Sequence, residues 1–209
     1  MAGIERVHIL QGFENGDGRD ERSLAMEPTA NKIYFKMFSD LGMPLLEGID
    51  IVECKTVKDA MAKYDYIDGI DCILNLQNGH RITIQEKFLF TDFKTVTFTE
   101  TDKFGRTGSF YSCIAQYYFV GYAMNYPTDL RFRDYTLIDF PGLLRYDAKH
   151  KLNWHFNNNN FKSLNKIKFR FLNYKDIPDS VIIYYHDNNL ELPLPDCENE
   201  TPTDDDIPF

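Results

Sequence analysis

Gly69-Ile-Asp-Cys-Ile-Leu-Asn-Leu76, Gln77-Asn78-Gly79-His80, Arg81-Ile-Thr-Ile-Gln-Glu-Lys-Phe88: this stretch sets the architecture of the chain. Asn-Gly between two runs of alternating apolar residues predicts a β-hairpin, because both residues tolerate the positive φ that a tight turn needs. Downstream, residues 94–100 (Lys-Thr-Val-Thr-Phe-Thr-Glu) alternate as well and predict a third strand, followed by a glycine-containing loop over 103–109. Phe110, Ile114, Tyr117, Tyr118, Gly121 and Tyr122 fall at helical spacing and predict a helix over 110–125. Residues 135–140 and 180–185 read as two further strands. Upstream, residues 12–20 are turn-rich. A helix is expected to begin near Pro28, with Ala30, Ile33, Met37 and Leu41 on one face and Gly42 as its stop. Residues 57–64 predict a second short helix. Three strands, a helix and a strand give a mixed α/β fold: a central sheet flanked by helices, without internal repeats.

The chain has 209 residues, 23 basic against 32 acidic side chains, and a formal net charge of −9. Hydrophobic residues make up 43%, enough for a packed core and too many for wholesale disorder. The charge is uneven. Residues 191–209 hold Glu191, Asp196, Glu198, Glu200, Asp204, Asp205 and Asp206 and no base, so the remaining 25 acids face 23 bases. The body is nearly neutral, and −9 does not exclude a nucleic-acid partner. Proline- and acid-rich residues 191–209 read as a disordered tail on a domain spanning 1–190. Cys54, Cys72, Cys113 and Cys197 lie far apart, which argues against a zinc site or a disulfide framework and for reduced thiols in the cytoplasm. Met1 to Asp20 has no secretory pattern. The longest uncharged run, Thr107 to Thr128, contains five tyrosines and is too polar to span a membrane.

Strand alternation puts Thr83, Gln85 and Lys87 on one face and Ile82, Ile84 and Glu86 on the other. Folding back at Asn78-Gly79 brings Asp71 near Gln85 and Lys87. A carboxylate and an amide oxygen are hard ligands for Mg2+ or Mn2+, and the peptide carbonyl of Glu86 would add a third. Lys87 would orient a polarised water or stabilise charge on a phosphorus. The blander reading is an exposed cross-strand ion pair between Asp71 and Lys87.

Asp71, a turn, and then Gln85-Glu86-Lys87 resembles the PD-(D/E)xK nuclease superfamily. The resemblance implies a restriction-endonuclease-like core with Asp71 as the metal-binding aspartate, Gln85 at the second acidic position and Lys87 as the motif lysine. Glu27, ahead of the helix, resembles the accessory glutamate of that region, and Glu100 is a weaker candidate. The pattern is broken at Gln85: either another carboxylate helps, or the site is weak or dead.

The last six residues, Asp204-Asp205-Asp206-Ile207-Pro208-Phe209, resemble the C-terminal tip of bacterial single-stranded-DNA-binding protein (SSB). That resemblance implies a docking peptide for replication, recombination and repair proteins of a bacterial cytoplasm, and a phage or mobile-element origin fits a small protein of this kind. The physical basis is readable. Phe209 offers a ring and a terminal carboxylate, Pro208 limits the backbone, and the aspartates steer toward a basic rim.

Between Asp147 and Asp176 there are no acids. Lys149, Lys151, Lys162, Lys166, Lys168 and Arg170 are candidates for phosphate contacts, and Trp154 and His155 for contacts with unpaired bases. Phe169 and Phe171, at strand spacing, read as core residues. The five histidines lack metal-ligand spacing, and Gly12, Gly16 and Gly18 do not make a phosphate loop. Three functions follow as expectations. The first is a Mg2+-dependent nuclease recruited through the tip. The second is a non-catalytic single-stranded-DNA-binding protein with an OB-type barrel. The third is a dead core that diverts tip-binding proteins.

Overall fold

The computed structural model describes residues 1–9, 21–54, 70–90, 94–101, 108–158 and 168–187. The expected loop at 12–20, the expected helix at 57–64 and the tail at 191–209 lie outside the described residues, as does most of the loop at 103–109. In chain order the elements are β1 (Ile4–Ile9), α1 (Glu21–Asp40), β2 (Ile49–Cys54), β3 (Cys72–Asn75), β4 (Arg81–Leu89), β5 (Thr95–Thr101), α2 (Ser109–Ser112), β6 (Tyr117–Asn125), β7 (Asp129–Asp139), α3 (Phe140–His150), β8 (His155–Asn158), β9 (Lys168–Asn173) and β10 (Ile182–Asp187).

The strands form a mixed seven-stranded sheet in the order β10-β7-β6-β4-β3-β1-β2 and a three-stranded sheet in the order β5-β9-β8. In the large sheet β1 runs parallel to β2 and β4 parallel to β6, and the remaining pairs are antiparallel. The hairpin forms at Asn78-Gly79, as its turn chemistry predicts. Gly79 sits at φ +85°, a conformation that side chains with a Cβ rarely adopt, and its N–H donates to the Leu76 carbonyl at 3.0 Å. Cys72 pairs with Ile84 and Asn75 with Arg81.

The large sheet is apolar on both sides, so there are two cores. On one side Met26, Ala30, Tyr34, Met37 and Phe38 of α1 pack on Ile4, Leu74, Ile84, Phe119 and Leu137. On the other, Val96, Phe98 and Leu172 of the small sheet meet Tyr118, Val120, Tyr122 and Ile138, with Phe140 and Leu143 of α3. The protein is therefore an α/β structure of three layers: α1, the large sheet, and the small sheet with α3. No OB-type barrel forms among the described residues, because β10 and β2 stand at opposite ends of an open sheet.

Two expectations are corrected. Residues 110–125 are not a helix: a single turn, α2, is followed by β6. Tyr118 and Val120 enter one core and Phe119 the other, so β6 is apolar on both faces and its composition imitates a buried helix. The first helix starts at Glu21, and Pro28 lies inside it rather than in its first turn.

Candidate functional site

The hairpin brings Asp71 and Gln85 together. The Asp71 N–H donates to the Ile84 carbonyl at 2.8 Å, which holds Asp71 opposite Gln85 just before β3 begins. Its carboxylate oxygen Oδ2 accepts from the Glu86 N–H at 2.6 Å and from the Gln85 side-chain amide. Lys87, half-buried, follows two residues along the same face. In register with β6, Gln85 pairs with Tyr118 and Lys87 with Val120, so this face looks toward the small sheet. Burial, with Cys113 and Asp71 adding to it, holds the Tyr118 phenol well above its ordinary range.

Glu27 does not join them. It is buried on α1, on the opposite side of the sheet, with Arg6 and Glu86. The Arg6 guanidinium donates to both carboxylate oxygens of Glu86 at 2.8 Å and to Asn31 Oδ1 at 2.7 and 2.9 Å, and lies 3.8 Å from Glu27. Glu27 also meets His8 Nε2 at 2.8 Å, and the Tyr34 hydroxyl donates to Glu86 at 2.7 Å. Burial, and then the Glu86 carboxylate, push the Tyr34 phenol well above its ordinary range, so it serves as a donor. The reading of Glu27 as an accessory ligand beside Asp71 is therefore corrected. A bidentate guanidinium is the partner that makes two carboxylates tolerable in the core.

The donor set among the described residues does not fit Mg2+ or Mn2+. The Gln85 amide nitrogen donates to Asp71 Oδ2 and lies 3.5 Å from the Glu86 carbonyl oxygen. It stands between the two oxygens expected to ligate a cation. The amide oxygen, the expected ligand, turns away and is buried without a hydrogen-bond partner. The Glu86 carboxylate is held by Arg6 across the sheet, and no group of three or more His, Cys, Asp or Glu side chains among the described residues could hold a metal ion. A hard dication needs more anionic oxygen than the Asp71 carboxylate alone supplies.

The basic, aromatic segment is rearranged too. Arg170 turns inward. Its guanidinium lies 3.9 Å from the Phe110 ring centroid and within 5.4 Å of those of Tyr111, Trp154 and Phe156. It donates to Glu100 at 3.0 Å and to the Tyr111 hydroxyl at 2.6 Å. Arg170 is thus an internal cation in an aromatic cage rather than a phosphate contact, and Glu100 is its partner rather than a metal ligand. Trp154 packs against the second core, with its ring centroid 5.1 Å from Phe110 and 5.8 Å from Phe98. Lys149, Lys151 and Lys168 are exposed, His155 is half-buried, and Lys162 and Lys166 lie outside the described residues. Phe169 and Phe171 belong to neither core, which reverses their expected placement.

Sequence reasoning missed Arg6, His8, Asn31 and Tyr34. The available signal was a charge at position 6 within an alternating strand, between Ile4 and the later apolar residues; its partner lies 80 residues away. Compared with known proteins, the chain matches no family model, no curated protein and no solved structure.

Proposed function

We propose that this protein acts in DNA metabolism: its α/β body binds DNA, and its hexapeptide Asp204 to Phe209 draws in proteins that recognise the SSB tip. The observation that carries the reading is the hexapeptide Asp204 to Phe209, an anionic run followed by Ile-Pro-Phe. The acid-free segment between Asp147 and Asp176 supports the DNA-binding half, because exposed lysines there meet phosphates without local repulsion. The core is restriction-endonuclease-like in this reading, with Asp71, Gln85 and Lys87 kept on one face of the hairpin. The Gln85 amide takes the place of the metal, so the body holds DNA without hydrolysing it.

The test incubates the full chain and a chain lacking 204–209 with labelled single- and double-stranded DNA in Mg2+, Mn2+ or EDTA. Binding without cleavage in all three media is the expected result. The deletion should abolish capture of an SSB-tip-binding repair protein and leave DNA binding in place. A chain that binds no DNA under any condition overturns the reading, and capture by the tip alone would then favour a decoy for tip-binding proteins. Cleavage that requires a dication and disappears in a folded Lys87→Ala variant would establish the nuclease reading instead.

A further inference from the structure

The small sheet has two unlike faces, and its register separates them. Val96 pairs with Leu172 and Phe98 with Arg170, and these side chains point into the molecule. The intervening residues therefore point outward: Thr97 opposite Phe171, Thr99 opposite Phe169, and His155 opposite Phe171 on the other edge. Phe169 and Phe171 are half-buried and, among the described residues, pack into neither core. His155 stacks on Phe171 at 5.3 Å and 25°. An outward sheet face is normally polar; this one carries two phenylalanines on its central strand, with a histidine on one edge and threonine hydroxyls along the other.

We propose that this outward face is a stacking platform for the unpaired bases of single-stranded DNA, with Phe169 and Phe171 each lying under a base. The proposal rests on the DNA-binding reading above and assigns its surface and substrate class. Two rings at i and i+2 on one strand stand about 6.6 Å apart, room for a base on each. Bases stack on such rings whatever their identity, so the platform is sequence-tolerant. The surroundings choose a phosphate-bearing partner: Lys175 is exposed just past the end of the same strand, and the sequence from 148 to 175 holds lysines and no acid. Duplex DNA hides the base faces that the rings would cover, so single strands are preferred.

The experiment measures binding of the full chain to a fluorescein-labelled thymidine 20-mer and to a duplex of the same length by anisotropy. Wild type should favour the single strand. Phe169→Leu with Phe171→Leu, which keeps the apolar bulk but removes the rings, should weaken single-strand binding about 30-fold or more at an unchanged melting temperature. Phe171→Tyr should bind like wild type. A Phe171→Trp chain should show fluorescence quenching by the 20-mer beyond that of Trp154 in wild type. This readout stands even if the double variant fails to fold. A folded double leucine variant that binds like wild type, a Phe171→Trp chain with no added quenching, or a wild type that prefers duplex each overturns the platform while leaving DNA binding intact. A wild type that binds neither DNA overturns the DNA-binding reading itself.

Discussion

Strand β4 has two chemistries, one on each face. Toward α1, Glu86 is buried and held by Arg6 and Tyr34, next to Glu27 and His8. Toward the small sheet, Gln85 and Lys87 accompany the Asp71 carboxylate. The first face concentrates charge and satisfies it within the protein. The second sets the Gln85 amide nitrogen against Asp71 Oδ2 and 3.5 Å from the Glu86 carbonyl oxygen. Charged residues in a motif therefore say little until their partners are known: Glu27 looks like a ligand in the sequence and lies against Arg6 and His8 in the fold.

The comparison is tested most severely at Arg6. An Arg6→Met variant leaves Glu86 and Glu27 buried without their cation and should lose about 3–5 kcal/mol of stability. In thermal melts that is roughly a 10 °C fall in Tm for a chain of this size. Adding Glu86→Leu to Arg6→Met should recover much of the loss, because the remaining Glu27 keeps His8. A single Arg6→Met variant that melts like wild type would mean that the network is solvated and that the two faces do not differ in the way described.

The opposite face is tested at Gln85. Gln85→Glu places a second carboxylate against Asp71, and like charges at that distance should cost about 2 kcal/mol in metal-free buffer. Mn2+ should restore the variant, raising its Tm with metal concentration, while wild type stays insensitive. A wild-type Tm that rises with Mn2+ as the variant's does would show that the amide is no obstacle to the ion. Tyr34→Phe is a smaller perturbation on the α1 side. It removes one hydrogen bond to Glu86 but leaves the bidentate Arg6 pair, and should cost about 1 kcal/mol in urea denaturation.

The hairpin is legible in the sequence because its turn chemistry is local: Asn78-Gly79 fixes the register, and the register puts Asp71 opposite Gln85. β6 is not, because a strand buried on both faces loses the alternation that distinguishes it from a buried helix. The roles of Glu27 and Arg170 depend on partners remote in sequence, Arg6 and Glu100, and no spacing rule joins Arg170 to a carboxylate 70 residues away. Phe169 and Phe171 read as core because their period is right for a half-buried strand. Period alone does not say which of the two alternating sets is inside, and here Arg170 and Leu172 take the inner side.

The smallest expected effect concerns the thiol beside Asp71. Burial pushes Cys113 up to about 11; a hydrogen bond with the Ala115 backbone opposes this, and the Asp71 carboxylate adds a lesser push upward. The folded state thus favours the protonated thiol. Its contribution to stability is complete below the unfolded value near 9 and is lost as pH rises through 11. The buried Tyr118 phenol, raised in the same direction, adds to the same alkaline loss. At pH 8 native Cys113 should carry about 100-fold less thiolate than in the unfolded chain, and its alkylation by iodoacetamide, followed peptide by peptide by mass spectrometry, should be slower by at least that factor. Asp71→Asn removes the smaller upward push and should speed the reaction only slightly. A large acceleration in that variant would mean that the Asp71 carboxylate, and not burial, governs this face of the hairpin.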